Sequence, residues 1–238
     1  DVMETYILND RLKYIAPEAM VLFVAHCKDN MKDLSMVERC LLHMDCNLMD
    51  FDSILSLLKK NALYTGLFHV YNNTVLDDYV SPLEILFEAV FNSADDAAEG
   101  MCADRRKDGL PSNKFEQYGY KAILYLQYCF KGKTFPKGNA ILPEERIQTL
   151  RPELFDLLFR EICSSPQRTP GSQPQSRNHS FRGIRALSYP YLRALILIDT
   201  KAFLDSLAIV LDDPGATFAQ AASSQVHTLG SWDVEYET

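Results

Sequence analysis

The sequence predicts an all-α fold, an α-solenoid built from antiparallel helix pairs. Pro17, Asp50 and Pro82 each open an amphipathic stretch, and they lie 33 and 32 residues apart. That spacing is the period of stacked helix pairs that bury their apolar stripes on one another. The 238 residues are 47% hydrophobic and 24% charged, which is typical of a folded chain rather than a disordered one.

Local signals place the first helices. Pro17 suits a first helical position because its missing N–H would have no intrahelical partner there, and the helix is expected to end near Asp29. Ser35 and Glu38 fit a capping box at the start of the second helix. The first 163 residues are therefore interpreted as a helical-repeat region.

The next pair and the helix after it have equally clear boundaries. Asp50 predicts an N-cap and Asn61 a helix end, after which residues 63–73 form the returning helix. A turn this short requires the two helices to run antiparallel. The run Ser81-Pro82-Leu83-Glu84 offers a cap, a proline near the first position and a box acid together.

Beyond this point the pattern is interrupted. Residues 93–114 lose the apolar spacing and are predicted to form a mobile loop. Helical spacing returns over 120–132, and Pro143 and Pro152 are each expected to open a further helix.

The last third of the chain divides into three parts. Residues 164–188 are rich in Ser, Pro and Arg, with four arginines and no acid, and are predicted to be a disordered insertion. Residues 189–213 predict a strongly apolar helix pair, with Asp199 capping its second helix. Residues 214–238 are interpreted as a loose tail or the start of further helices.

The insertion contains candidate regulatory residues. Ser165 and Thr169 each precede a proline, and Arg177 lies three residues before Ser180. A phosphate on Ser165, Thr169 or Ser180 would reverse the local charge and change docking. The alternative interpretation is a plain spacer.

A cysteine–histidine group gives a second candidate site. Cys40, His43 and Cys46 lie three residues apart, with His26 and Cys27 upstream. A zinc site needs four converging ligands, and Cys46 is expected beyond the end of the helix that carries the other two. Buried thiols and a surface histidine are the favoured alternative, in keeping with a reducing compartment.

Several function classes find little support. The net charge of −8 disfavours nucleic-acid binding. Lys131-Gly132-Lys133-Thr134 lacks the upstream glycine spacing of a phosphate loop, and His69 stands in no nucleophile motif. No cofactor and no enzymatic activity are expected, and no apolar run is long enough to span a bilayer.

An aromatic-rich helix admits two interpretations. Its rings would either form a groove for a partner helix or fill the solenoid core, and core packing is favoured because aromatic side chains commonly fill such cores. The residues concerned are Phe115, Tyr118, Tyr120, Tyr125, Tyr128 and Phe130.

Three unusual strings carry a family resemblance. The chain resembles the helical region of the vacuolar protein sorting-associated protein 8 family, whose members are subunits of the CORVET tethering complex. The strings are Asn61-Ala62-Leu63-Tyr64-Thr65-Gly66-Leu67-Phe68-His69-Val70-Tyr71-Asn72, Asp78-Tyr79-Val80-Ser81-Pro82-Leu83-Glu84, and Tyr189-Pro190-Tyr191-Leu192-Arg193-Ala194-Leu195 continuing into Asp199-Thr200-Lys201-Ala202-Phe203-Leu204.

The resemblance implies an architecture and a cellular role. Family members combine an amino-terminal β-propeller, a solenoid similar to clathrin-heavy-chain or TPR-like repeats, and usually a carboxy-terminal RING-type zinc module. This chain would correspond to the solenoid alone. The implied partners are the class C core subunits, the second CORVET-specific subunit and an early-endosomal Rab GTPase. The implied location is cytoplasmic, peripheral on early endosomes and attached only through the complex.

The expected function is therefore that of a scaffold in endosomal fusion and in protein transport to the vacuole or lysosome. Two alternatives stay open at this stage. One is a subunit of another clathrin-repeat tether or coat, such as a HOPS-type complex. The other is a zinc-dependent module that uses Cys40, His43 and Cys46.

Overall fold

Three helices begin where the repeat spacing places them. The computed structural model describes residues 2–29, 34–74, 76–100, 114–161, 185 and 187–212. Pro17 opens α2, Asp50 precedes α4 and Pro82 is the second residue of α6. The helices within the described ranges are α1 (Val2–Leu8), α2 (Pro17–Asp29), α3 (Ser35–Leu42), α4 (Phe51–Lys60), α5 (Tyr64–Asn73), α6 (Ser81–Gly100), α7 (Lys114–Phe130), α8 (Glu145–Leu158) and α9 (Pro190–Leu211).

Consecutive helices pack as pairs, and each pair packs on the next. Helix α2 contacts α3, α4 contacts α5, α6 contacts α7, and α8 contacts α9. Neighbouring pairs meet through α2 with α4, α3 with α5, α5 with α6, and α7 with α9. The predicted all-α solenoid is confirmed. Helix α1, which packs on α3, was not predicted.

One apolar core runs along the array, from Ile7 in α1 to Val210 in α9. Tyr125 of α7 lies in this core and is fully buried. Its ring stacks on that of Phe68 in α5, with centroids 3.9 Å apart. Phe135 meets the same two rings edge-on, at 5.6 and 5.9 Å. Because the core is distributed, each pair depends on its neighbours for burial.

The buried Tyr125 hydroxyl joins α7 to the connection between α5 and α6. It donates to the carbonyl oxygen of Tyr79 at 3.0 Å. A hydroxyl has one hydrogen, so the Asn72 amide nitrogen, 3.0 Å away, donates to the hydroxyl oxygen. In that orientation the same nitrogen reaches the carbonyl oxygens of Asp78 and Phe68, at 3.1 and 3.2 Å.

Two helical glycines allow close helix crossings. A Cβ added to Gly66 in α5 would lie 2.9 Å from a Leu41 methyl carbon and 3.1 Å from one of Leu58. A Cβ on Gly119 in α7 would lie 2.2 Å from the Ile198 side chain. These positions bring α5 against α3 and α4, and α7 against α9.

The predicted capping box of α3 is wrong. Leu34 is the N-cap of α3 and makes no side-chain capping bond. Glu38 Oε1 instead accepts from the backbone N–H groups of Thr65 at 2.7 Å and Gly66 at 3.1 Å, in the first turn of α5. The N-cap residue of α5 is a leucine, which offers no acceptor, so a carboxylate from the preceding pair performs the cap.

The cap of α6 also comes from a different residue than predicted. Ser81 lies inside the helix. Asp78 Oδ1 accepts from the N–H groups of Val80 and Ser81 at 2.9 and 3.0 Å. Glu84 forms an ion pair with Arg160 rather than completing a capping box.

Three predicted boundaries are confirmed. Asp50 is the N-cap residue of α4, although its carboxylate accepts from the Ser53 hydroxyl rather than from the backbone. Asn61 is the C-cap of the same helix. Asp199 interrupts α9 with an extended φ of −159°, and its Oδ1 caps the second half by accepting from the Ala202 N–H at 2.9 Å.

The loop predicted over 93–114 starts too early. Helix α6 continues over residues 93–100, the first eight residues of the predicted loop. Residues 101–113 lie outside the described residues. The helix persists because Ala94 is buried in a small second cluster with Val90 and Phe115. Packing against α7 thus replaces the apolar stripe that the sequence pattern lost.

The sequence predicts two helices, at Pro143 and at Pro152, but the structure has a single helix there. Helix α8 passes through Pro152, and Pro143 lies before its start. A proline inside a helix costs about 3 kcal/mol. Leu150, Leu154 and Leu157 are fully buried on either side of it, and their burial outweighs that cost.

Other predicted segments are only partly described. Residues 189–212 of the predicted final pair are present, as α9 and its flanks. Residues 164–184 and 186 of the insertion, together with 162–163 and 213–238, lie outside the described residues.

Removal of the Glu38 carboxylate, which caps α5 from the preceding helix pair, should destabilise the array. We expect Glu38→Ala to lower the free energy of unfolding by about 1–2 kcal/mol, because two N–H groups of α5 lose their acceptor. Chemical denaturation followed by circular dichroism measures this change. The control is Glu18→Ala, an exposed acid in the first turn of α2. Equal stability of both variants would contradict the assigned cap.

Candidate interaction surfaces

The predicted regulatory residues are not placed by the structure. Ser165, Thr169 and Ser180 lie outside the described residues. Their modification remains a prediction.

The cysteine–histidine group does not converge. Cys40 is fully buried, and burial raises the pKa of its thiol to about 11. Cys46 is also buried, which raises the pKa of its thiol to about 11. His43 Nδ1 instead lies 3.1 Å from Asp10 Oδ1. In the described ranges, no three His, Cys, Asp or Glu side chains are arranged to hold a metal ion.

The thiols described by the structure are part of the core. Cys27, Cys40, Cys46 and Cys129 are buried, reduced thiols, as the favoured interpretation expected. Burial raises the pKa of Cys129 to about 12. A thiol with so high a pKa is a poor nucleophile and a poor metal ligand at neutral pH.

His69 is a buried neutral imidazole. It is 2% exposed, and burial together with the charge of Lys137 lowers its pKa to about 4. Its Nδ1 lies 3.0 Å from the Asn73 amide nitrogen, so the ring accepts at this atom and is unprotonated there. His69 is therefore a packing residue of the core.

The aromatic helix α7 is mainly a core element. Tyr125 and Phe130 are fully buried and Phe115 is nearly so. Tyr120 is exposed, and its hydroxyl lies 3.2 Å from Asp199 Oδ2 of α9. The core interpretation of this helix is therefore confirmed.

A charged cleft lies between the α5–α6 connection and α8. It encloses about 470 Å³, and we call it the α8 cleft. Carboxylates outnumber guanidinium groups four to two along its walls, and Leu76 is exposed at its edge. Its lining residues are Leu76, Asp77, Asp78, Val80, Arg146, Glu153, Asp156 and Arg160.

Arg146 holds this cleft together. Its Nε donates to Asp77 Oδ2 at 2.9 Å, and its two terminal nitrogens donate to the Glu153 carboxylate at 3.0 Å each. The guanidinium also lies 5.6 Å from the centroid of the Tyr79 ring. One arginine thus clamps the loop before α6 to the middle of α8, with the fork geometry that suits paired carboxylates.

A second set of ion pairs joins α6 to Arg160, which precedes the insertion, and to Arg185, which lies near its end. Arg160, just after α8, pairs with Glu84. Arg185 pairs with Glu88 at 2.7 Å and also donates to the Asn92 side-chain oxygen at 3.1 Å. Glu84, Glu88 and Asn92 are spaced four apart, on one face of α6.

The described residues on either side of 162–184 therefore lie next to one another, beside α6. Ser188 Oγ donates to Glu161 Oε1 at 3.3 Å, which brings the residues on either side of the insertion together. Arg185 also lies over the Phe91 ring, 5.2 Å from its centroid. Part of the segment predicted as disordered is thus fixed by contacts with α6.

These charged residues were not predicted from the sequence. Arg146 and Asp77 are 69 residues apart, and Arg185 and Glu88 are 97 apart, so no local spacing relates them. The one local signal was Arg146 with Glu153, two turns apart on one helix face.

Apolar surface is exposed at both ends of the array. At the first end, Val21 and Leu22 of α2 are 52% and 71% exposed beside a small groove between α2 and α4. At the other end, Leu204 and Leu211 of α9 are 54% and 69% exposed. Among the described helices none is long and apolar enough to cross a membrane.

Stacked helix pairs, one continuous core and exposed apolar ends define a helical-repeat scaffold protein. A family model described as Vps8 central TPR matches residues 1–211. The chain belongs to this family, and the resemblance noted in the sequence is confirmed.

Curated relatives support the same family assignment. The chain is 27% identical to the vacuolar protein sorting-associated protein 8 homolog of Homo sapiens over 213 residues, which cover 90% of this chain and 13% of the relative. The Mus musculus homolog is also 27% identical, over 217 residues with the same coverage. The Drosophila melanogaster homolog is 24% identical over 74% of this chain and 11% of the relative. The chain thus spans about an eighth of the length of the mammalian relatives. No solved structure matches it.

Stability should fall in mild acid because of His69. Its folded-state pKa of about 4 lies below the ordinary histidine value of 6.5, so the unfolded chain binds a proton first as the pH falls. The contribution of neutral, buried His69 to the free energy of unfolding is complete above pH 6.5 and is lost between about pH 6.5 and 4. From pH 7.5 to 5 the loss from this residue is about 2 kcal/mol.

Denaturation of His69→Gln at both pH values measures this effect. The variant should lose less stability on acidification than the wild type, whatever its stability at pH 7.5. Leu22→Gln, a substitution at an exposed site that changes no titratable group, should retain the wild-type pH dependence. An unchanged slope in His69→Gln would exclude His69 as the source.

The Arg146 clamp gives another prediction. We expect Arg146→Ala to reduce the free energy of unfolding by about 2 kcal/mol, because a half-buried arginine loses both carboxylate partners. Arg146→Lys should recover only part of this, since an ammonium cannot reproduce the fork. Lys201→Ala removes an exposed ion pair and should leave the denaturation midpoint unchanged. Full recovery by lysine would contradict the assigned fork geometry.

Proposed function

We propose that the chain is a non-catalytic scaffold segment of a CORVET-type vesicle-tethering subunit. It acts in endosomal fusion and in protein transport to the vacuole or lysosome. The family match across residues 1–211 carries this proposal. The distributed core supports it, because a core shared by successive pairs makes a rod that presents extended surfaces.

The contacts between helix pairs suit a spacer that keeps its shape under mechanical force. Apolar contacts alone are non-directional, whereas the Glu38 cap and the Arg146 clamp each join elements from different pairs. Such charge-assisted bonds resist sliding of one pair over the next. The segment would hold a membrane-recognising domain of the parent protein at a set distance from other subunits.

The proposed partners follow from the family. They are the class C core subunits, the second CORVET-specific subunit and an early-endosomal Rab GTPase, the last reached through this segment or through another part of the parent. The proposed location is cytoplasmic, peripheral on early endosome membranes and attached through the complex.

Pull-down with this chain as bait tests the proposal. We expect capture of purified class C core subunits, and capture of early-endosomal rather than late-endosomal Rab proteins when the assembled complex is used. Phe68→Asp, which places a charge in the core, should abolish capture, whereas Leu22→Ser at an exposed site should retain it. Capture by Phe68→Asp equal to wild type would show that the folded array is not required.

Two outcomes would overturn the proposal. Preference of the assembled complex for late-endosomal Rab proteins would indicate a HOPS-type subunit instead. Failure of the folded chain to bind any class C subunit would remove the scaffold role from this segment.

A further inference from the structure

The groove between α2 and α4 is shallow and almost entirely apolar. It encloses about 30 Å³, far below the roughly 300–1,000 Å³ of a small-molecule site. Asp50 and Ser53 supply its polar lining, and its other lining residues are apolar. Val21, at its edge, is 52% exposed. A hole of this size and lining suits the end of one aliphatic side chain from a neighbouring helix, as in knobs-into-holes packing.

The two walls of the groove continue along their helices as stripes of one helix face. The α2 stripe has the spacing i, i+4, i+7, i+11 and consists of Pro17, Val21, Val24 and Lys28. The α4 stripe has the spacing i, i+3, i+7, i+10 and consists of Asp50, Ser53, Leu57 and Lys60. Together the two stripes form a surface that we call the α2–α4 groove. Its length suits an elongated partner rather than a compact ligand.

The α2–α4 groove is acidic at one end and basic at the other. Pro17 opens α2 and Asp50 precedes α4, and both line the same hole, so the two helices start at the same end of the groove. At this end Asp50 is joined by Glu18, which is exposed in the first turn of α2. Lys28 and Lys60 are exposed in the last turns of the two helices, at the opposite end.

This charge distribution selects the direction of a helix lying in the groove. Helices commonly carry acids in their first turn and bases in their last turn, because these charges complement the macrodipole. Such a helix brings its acids to Lys28 and Lys60, and its bases to Asp50 and Glu18, only when it runs antiparallel to α2 and α4. The macrodipoles favour the same direction, since opposite partial charges then meet. A parallel helix would place acids against acids.

We propose that the α2–α4 groove binds an amphipathic helix of a partner protein, antiparallel to α2 and α4. One aliphatic side chain of that helix enters the hole beside Val21, and its terminal charges pair with the two ends of the groove. The partner helix therefore has an aliphatic stripe, acids in its first turn and Lys or Arg in its last turn. The inference goes beyond the proposed function and holds for any complex, so its failure would leave that function standing.

Two designed helical peptides, each about as long as α2, test the proposal. They are held helical by side-chain cross-links, because isolated helices of this length are marginal in water. Both carry the same leucine stripe. The first has Glu in its first turn and Lys in its last turn, and the second has these charges exchanged. Fluorescence anisotropy with the full chain should show the first peptide binding at least about fivefold more tightly, through several exposed charge pairs.

Variants of the chain locate the binding surface. Val21→Asp should weaken binding of the first peptide at least about tenfold, since it places a charge at the edge of the hole. Leu204→Asp in α9 is the matched control, because Leu204 is 54% exposed, and it should leave binding unchanged. The double variant Lys28→Gln/Lys60→Gln should bring the two peptides to similar affinities.

A spin label at the amino end of the first peptide reports its direction. It should broaden the backbone NMR signals of Lys28 and Lys60 more than those of Glu18 and Asp50. The reverse pattern, equal affinity of the two peptides for the wild type, or binding that survives Val21→Asp would overturn the proposal. Absence of binding by either peptide would overturn it as well. A dimer in sedimentation that Val21→Asp dissociates would assign the groove to a second copy and overturn the partner helix.

Discussion

The structure depends on one constraint: a helix pair cannot bury its apolar stripe alone and must use the next pair. Tyr125 shows this most clearly. Its ring belongs to α7, stacks on Phe68 of α5 and is closed off by Phe135. Its hydroxyl is satisfied by Asn72 at the end of α5 and by the Tyr79 carbonyl oxygen in the α5–α6 connection. Loss of any neighbour would expose an aromatic ring or a buried polar group, so the array is stable only as a stack.

Polar groups fix how the pairs are positioned on each other. Apolar burial rewards contact but tolerates small shifts between helices. Glu38 caps a helix in the next pair, and Arg146 ties the loop before α6 to α8. Both bonds require their partners within hydrogen-bond distance. Gly66 and Gly119 complete this positioning, because they let helices approach more closely than an alanine would allow.

The titratable groups in the described part of the chain serve packing and the joining of its elements. Cys40, Cys46, Cys129 and His69 are buried with pKa values shifted towards their neutral forms, which suits packing rather than proton transfer or metal binding. The polar residues that the structure does bring together, around the α8 cleft, are paired arginines and carboxylates. Their geometry joins elements of the fold, and the surface left over is extended.

The sequence by itself determined the fold class, the spacing of the repeats and several helix ends. Pro17, Asp50, Asn61 and Asp199 act through local backbone chemistry, which depends only on neighbours a few residues away. The family was also accessible from three local strings. Local patterns did not reveal the cap that Glu38 supplies to α5, the continuity of α8 through Pro152, or the extension of α6 into the predicted loop. Those features depend on groups brought together from distant parts of the chain, and packing energy there exceeds the local preference. Only the tertiary structure decides where such groups meet.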